Sequence, residues 1–145
     1  MNEKIHLRIV TPLTVKTDEY ADMVIMSCVG GDMGVMPGHI TCSAILDYGV
    51  LRIVRGEAER RIAVFGGVAE INENVLTVLT AEAEWPEDID RTRAELERDH
   101  LERRIQEGKD DIEIQRDQGL LRRSLVMIEV SADQLIPKRD WTAPD

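Results

Sequence analysis

The sequence of 145 residues predicts an N-terminal antiparallel β-sandwich followed by a C-terminal antiparallel two-helix hairpin. Apolar residues alternate with polar ones early in the chain, as in Ile5, Leu7 and Ile9, which is typical of strands with one buried face. After residues 85–90 the apolar residues recur at helical spacing, with charges between them. Pro86 and the carboxylates that follow it suit the end of a strand and the start of a helix.

These changes of pattern divide the chain into three parts. We predict a β-sandwich over residues 1–86, a helical hairpin over residues 87–132 and a frayed tail over residues 133–145.

The first part contains many short apolar segments at close spacing, which favours an antiparallel sandwich or barrel. The clearest predicted strands are residues 5–10, 14–17, 23–29, 44–46, 50–54, 61–65, 68–71 and 75–79. The third of these is nearly all apolar, so we expect it to be covered on both faces. Glycine and proline interrupt residues 33–40, which indicates a loop or sheet edge. We expect hairpin turns at residues 47–49 and 72–74.

The second part is rich in Arg and Glu and carries thin apolar stripes. A first helix over residues 90–107 has a stripe of Ile89, Leu96, Leu101 and Ile105, and Gly108 predicts its end. A second helix over residues 112–130 has a stripe of Leu121, Leu125 and Ile128. Two short helices are marginal alone, so the hairpin must bury a face on itself, on the sandwich or on a partner.

Composition excludes several classes of function. The net charge of −10 argues against a nucleic-acid backbone or an anionic membrane surface as the main partner. No apolar run approaches the roughly 18–20 residues that cross a bilayer, and the first residues lack a signal-peptide core, so we expect a cytosolic chain without direct membrane insertion. The two cysteines and three histidines show no metal-site spacing, so we predict no metal, and we expect reduced thiols.

Three motifs, in this order, resemble the epsilon subunit of bacterial F-type ATP synthases. The first is Gly-Asp-Met-Gly-Val-Met-Pro-Gly-His at residues 31–39. The second is the double-glycine segment 65–71, followed by the apolar segment 74–79. The third is the junction at residues 83–94, with Pro-Glu-Asp-Ile-Asp at its centre. The resemblance extends from residue 5 to about residue 130, and it agrees with the fold class derived from the patterns.

The resemblance implies a non-catalytic subunit of the central stalk, peripheral on the cytoplasmic side of the cell membrane. The sandwich would bind the gamma subunit and the ring of c subunits. The helices would fold against the sandwich or extend towards the catalytic alpha and beta subunits, where they restrain ATP hydrolysis. Asp32 matches an acidic residue that faces the c ring, and His39 matches a histidine near the gamma subunit. A turn residue and an ordinary loop histidine are the alternatives.

The resemblance also raises the question of ATP as a regulatory ligand, because residues 89–94 match a motif with which some epsilon subunits bind it. The candidate nucleotide-binding residues are Glu84, Ile89, Asp90, Arg93, Ala94 and Arg123. The guanidinium group of Arg93 could offer a planar fork to phosphate. The chain has no glycine-rich phosphate loop, so we expect binding rather than hydrolysis. Asp90 and Arg93 could instead pair at the helix start. His100 and Met127 stand where further arginines would help, so we predict weak or absent ATP binding.

Two other functions compete with a rotor subunit. One is a stand-alone ATP-sensing module, which would bind ATP without a partner. The other is a small β-sandwich enzyme or sugar-binding domain. Against the second, aromatic residues make up only 3% of the chain, and no nucleophile–histidine–acid set is recognisable.

Overall fold

The structure is a computed structural model that describes residues 3–132, in which eight strands precede a 3-10 turn and two α-helices. The strands are β1 (Ile5–Val10), β2 (Val15–Ala21), β3 (Met23–Cys28), β4 (Gly31–Val35), β5 (Cys42–Arg55), β6 (Ala58–Asn72), β7 (Val75–Leu79) and β8 (Ala83–Glu84). The 3-10 turn Pro86–Asp88 leads to α1 (Arg91–Glu107) and α2 (Asp111–Ser131). The predicted fold class is confirmed, whereas the predicted tail lies outside the described residues. The division into functional domains stays a prediction.

The strands form one sheet in the order β2-β1-β7-β6-β5-β3-β4, with β8 paired to β6. Within the described residues the pairs are antiparallel except β1 with β7, which is parallel. The prediction of a purely antiparallel sheet was therefore wrong at one pair. The chain between β1 and β7 is long enough to return in the same direction, which a tight hairpin does not allow.

The sheet folds over so that strands distant in its order face each other across a core. β1 and β3 are four places apart in the sheet order and yet contact each other. The core is almost wholly aliphatic, and each large side chain in it contributes roughly 1.5–3 kcal/mol by burial. Its largest fully buried members are Ile5, Leu7, Ile9, Val24, Met26, Val35, Leu51, Ile53, Ile62, Ile71, Leu76 and Val78.

Strands β5 and β6 are long and bend together in the middle. The hairpin predicted at residues 47–49 was wrong, because β5 continues through it. Leu46 pairs with Gly67 and Tyr48 with Phe65 in the same register, and only the pair between them, Asp47 with Gly66, is missing from the ladder.

This interruption sets which residues face outward beyond the bend. Ile45 is exposed, and Val50, five residues later, packs against the separate cluster that contains Phe65. Leu46 and Leu51, also five apart, belong to the sandwich core. Strict alternation would place residues five apart on opposite faces. The bend therefore lets one outer face continue along both halves of the strand.

Gly67 is required at this bend. Its φ of 120° lies in the left-handed half of backbone space, and a Cβ there would overlap the carbonyl oxygen of Leu79 and lie 3.0 Å from Cα of Thr80. The double glycine therefore allows β6 to bend while β7 passes close beside it.

Three other local predictions had different outcomes. The hairpin turn before β7 is confirmed, since Glu73 and Asn74 have φ of 49° and 64°. The segment 33–40 is an edge strand followed by a loop, as expected. The prediction that β3 is covered on both faces was wrong, because Val24 and Met26 are buried while the alternate side chains are only half-buried.

The two helices begin where the sequence predicts. Asp90 caps α1 by accepting a hydrogen bond from the amide of Arg93, and Asp110 caps α2 by accepting one from the amide of Ile112. The three-residue connection 108–110 joins them as expected.

The predicted stripes of the helices were partly wrong. Leu96 and Leu125 are exposed, and the buried faces carry smaller side chains, including Ala94 of α1 and Ser124 of α2. Leu101 of the predicted stripe is buried, as expected. Arg104 of α1 also pairs with the buried Asp117 of α2 at 3.3 Å.

Candidate functional site

An exposed apolar row crosses the outer face of the sheet, perpendicular to the strands. Its members are in-register neighbours or hydrogen-bonded neighbours on successive strands: Val15, Val10, Leu79, Val68, Ile45 and Val29. Ile45 is 66% exposed and Val68 is 41% exposed. We call these six residues the apolar row. At about 4.8 Å between strands, the row is about 24 Å long.

The apolar row is narrow, because the next row of outward residues on the same strands is polar. That neighbouring row consists of Asp18, Arg8, Thr77, Glu70 and Ser43. At one end, Leu13 in the β1–β2 connection is 96% exposed. Contiguous exposed apolar surface with a polar border is typical of protein–protein contacts.

Sequence reasoning missed the apolar row. Four of its residues, Val10, Leu79, Val68 and Ile45, each stand next to a core residue along their own strand, so these segments resemble ordinary half-buried strands. Only the register between strands shows that the six residues are neighbours.

Asp32 lies exposed on the edge strand β4 rather than in a turn. It accepts a hydrogen bond from the hydroxyl of Ser27, its partner on β3, at 3.4 Å. Burial raises the pKa of the nearby Cys28 thiol, and the negative charge of Asp32 adds to that increase. Asp32 is therefore available at the sheet edge, and its contact with a partner stays a prediction.

His39 lies half-buried in the loop after β4. Its Nδ1 is 2.8 Å from the carbonyl oxygen of Ile40, and its amide donates to the carbonyl of Met36. The amide of Gly38 donates to the Asn74 side chain at 2.8 Å, which ties the loop to the β6–β7 turn. The loop is thereby held while Met36 and Ile40 remain exposed. A partner contact of His39 also stays a prediction.

The candidate nucleotide residues have several different local roles. Ile89 and Ala94 are buried, so they form part of the interior rather than an open apolar wall. Asp90 is the cap of α1 through the amide of Arg93. The Arg93 side chain is exposed and makes no ion pair with another residue in the range 3–132.

Arg123 and Glu84 do lie in one charged cluster at the junction. Burial raises the pKa of the Glu84 carboxyl, and the surrounding charges include Lys16, Glu82 and Arg123. Arg123 holds Glu82 through both arms of its guanidinium group, with Nε 3.1 Å from Oε2. The Glu82 carboxylate accordingly raises the pKa of Arg123. The guanidinium group of Arg123 is thus occupied by a carboxylate of the protein itself.

The described part of the chain lacks a group of three or more His, Cys, Asp or Glu side chains that could hold a metal ion. Cys28 and Cys42 are free thiols. Among residues 3–132, neither helix has an apolar stretch long enough to cross a bilayer.

Comparison with known proteins agrees with this geometry. Residues 4–86 match the family model of the ATP synthase delta/epsilon chain, β-sandwich domain. An ATP synthase epsilon chain of Syntrophobacter fumaroxidans is 38% identical over 90% of this chain and 98% of its own length. That of Halalkalibacterium halodurans is 34% identical over 88% of this chain and 96% of its own length.

A solved structure of the Euglena gracilis mitochondrial ATP synthase, comprising OSCP, F1 and c-ring, contains a chain of similar fold. The likeness has a TM-score of 0.78 at 21% identity and covers 89% of this chain and 81% of that chain. It supports the architecture described above.

Proposed function

Because the chain belongs to the family of ATP synthase epsilon chains, a non-catalytic subunit of that complex, we propose that it is a rotor subunit in the central stalk. In this role the sandwich binds the gamma subunit and rests on the c ring, so that it couples ion flow to ATP synthesis. As part of that complex it would lie at the cytoplasmic side of the cell membrane as a peripheral subunit.

The apolar row is the main observation that supports the proposed contact with the gamma subunit. Five of the six apolar side chains are exposed and Val10 is half-buried, so covering the row by a partner is favourable at about 25 cal/mol per Å². The polar row beside them would form the rim of the contact. His39 and the exposed apolar residues of its loop would extend the contact beyond the row.

The test of this contact is co-purification with the gamma subunit. Two lysines in the row, Ile45→Lys with Val68→Lys, place charges where apolar side chains would be covered. We expect the Kd for the gamma subunit to rise roughly 100-fold, at about 1–2 kcal/mol for each position. Both positions are exposed, so the fold should remain stable.

The control is Ser43→Lys, which adds one lysine in the polar row, two residues from Ile45. It should bind the gamma subunit nearly as tightly as the unaltered chain. Equal binding by the double variant would show that the apolar row is not the contact. Failure of the unaltered chain to bind would refute the rotor role.

The proposed contact with the c ring depends on Asp32. An exposed carboxylate on an edge strand is suited to polar or basic groups of a neighbouring subunit. Asp32→Lys should weaken attachment of the stalk to isolated c rings while gamma binding persists. Unchanged attachment would remove Asp32 from this contact.

The helical hairpin is the proposed brake on ATP hydrolysis. The hairpin contacts the sheet through α2, whereas α1 packs mainly on α2. Only a small part of the hairpin surface therefore holds it on the sheet. A chain that ends after Glu87 should leave the reconstituted complex with faster ATP hydrolysis. If hydrolysis is unchanged although the shortened chain remains in the complex, the hairpin is not a brake in this protein.

The alternative role, a stand-alone ATP-sensing module, predicts tight ATP binding by the isolated chain. The pairing of Arg123 with Glu82 supports the opposite expectation, weak or absent binding. Tight binding in a calorimetric titration, lost in Arg93→Ala, would favour the alternative.

A further inference from the structure

Apolar contact between the hairpin and the sheet is limited. Val130 is fully buried against Phe65 and Ile89, and only Val126 and Met127 of α2 join it there as half-buried side chains. Because this apolar contact is small, polar interactions contribute a large share of the free energy that docks the hairpin on the sheet.

Two adjacent arginines of α2 supply these polar interactions, each to a different segment of the sheet. Arg122 pairs with Asp47 at the bend of β5, with Nη2 2.5 Å from Oδ1. Arg123 holds the carboxylate of Glu82, the residue directly before β8.

The aromatic rings of the sheet lie beneath the same two arginines. The Arg122 guanidinium is 5.8 Å from the ring centre of Tyr48, and that of Arg123 is 5.2 Å from the ring centre of Phe65. Both arginines therefore have a carboxylate and an aromatic ring of the sheet as neighbours, and both of these groups attract a cation.

We propose that the pairs Arg122–Asp47 and Arg123–Glu82 form an electrostatic clasp that holds α2 on the sheet and makes hairpin docking depend on ionic strength. The four side chains are partly exposed, so dissolved salt screens the pairs. The apolar contact at Val130 is not screened in this way. Raising the salt concentration should thus loosen the hairpin without unfolding the sheet. The proposal concerns the isolated chain, so it can fail or hold independently of the gamma contact and of the brake.

The test measures how often the hairpin leaves the sheet, by thiol labelling of a cysteine placed at the contact. Val130→Cys is nearly isosteric and fully buried in the docked state. With both native cysteines replaced by alanine, its labelling rate by a thiol reagent reports rare opening. Arg122→Gln with Arg123→Gln should raise that rate about tenfold in 50 mM KCl, about threefold for each pair. In 1 M KCl the difference should shrink to less than twofold.

Two controls separate the clasp from general effects. Arg116→Gln removes an exposed charge elsewhere on α2 and should leave the rate unchanged. A cysteine at Val78, in the core of the sheet, should label equally slowly in all variants, because the sheet stays folded. Faster labelling at both reporters would mean unfolding, and this would contradict the proposal.

Reversal of one pair gives a further test. Glu82→Arg alone should speed labelling at Val130→Cys, and adding Arg123→Glu should restore most of the slow rate. An unchanged rate in the double glutamine variant at low salt, or no recovery in the reversed pair, would overturn the clasp.

Discussion

Replacing Glu82 by Gln should strengthen ATP binding at the junction, because it frees the fork of Arg123. In the unaltered chain any phosphate must displace the Glu82 carboxylate, which contacts Nε and Nη2 of that arginine. Glutamine keeps the shape and removes the charge. The change therefore tests whether this one carboxylate keeps the site closed to nucleotide.

The expected gain has two parts. Loss of a partly exposed ion pair that competes with phosphate contributes about 0.2–1 kcal/mol. Removal of a negative charge about 5 Å from a phosphate charge contributes about 0.8 kcal/mol in water. Together these amount to roughly 1–2 kcal/mol, which is about a tenfold lower Kd.

The assay is calorimetric titration with ATP at low salt, where we expect little or no heat for the unaltered chain and measurable binding for Glu82→Gln. Adding Arg123→Gln should abolish the gain, whereas adding Arg116→Gln should preserve it. Tight binding by the unaltered chain, or no gain in Glu82→Gln, would refute the reasoning that Glu82 fills the phosphate position.

Three further changes test the fold and its charges. Glu84→Gln should raise the Tm at pH 7, because burial raises the folded pKa of Glu84 above the ordinary 4.5 and its charge therefore destabilises the native state. The destabilisation develops as the pH rises from 4.5 through the folded pKa, so the gain in Tm should vanish at pH 4. A gain that persists at pH 4 would contradict the assignment. Gly67→Ala should destabilise the sheet by about 3 kcal/mol or more in denaturant unfolding, through positive φ and overlap with β7, whereas Gly56→Ala, with open space around its Cβ position, should cost less. Asp90→Ala should cost about 1 kcal/mol by loss of the α1 cap and Asp90→Ser much less, and equal costs would argue against capping.

Local patterns predicted much of the secondary structure. Alternation at Ile5, Leu7 and Ile9 places β1 correctly, and the turn at residues 72–74 follows from its two asparagines, since asparagine tolerates positive φ. Helix starts at Asp90 and Asp110 follow from capping chemistry within a few residues. In each case the interacting groups are close in sequence, so the pattern contains the whole cause.

The same patterns failed where a distant segment decides the outcome. Residues 47–49 have turn composition, yet β5 continues through them because β6 pairs with it on both sides of the bend. Leu96 has the spacing of a buried residue, yet it is exposed because Ala94 lies on the buried face of α1.

The candidate site also combines features that the sequence shows with features that only the fold creates. The residue types at the junction, including Glu84, Asp90 and Arg123, are readable from the chain, but the pairing of Arg123 with Glu82 joins positions 41 residues apart.

Short-range patterns thus indicate a β part and a helical part, and the family resemblance rests on three short motifs. The apolar row and the clasp arise only when strands and helices far apart in sequence come into register. Both depend on packing and charge pairing between residues far apart in sequence, and no short stretch of the sequence contains both partners.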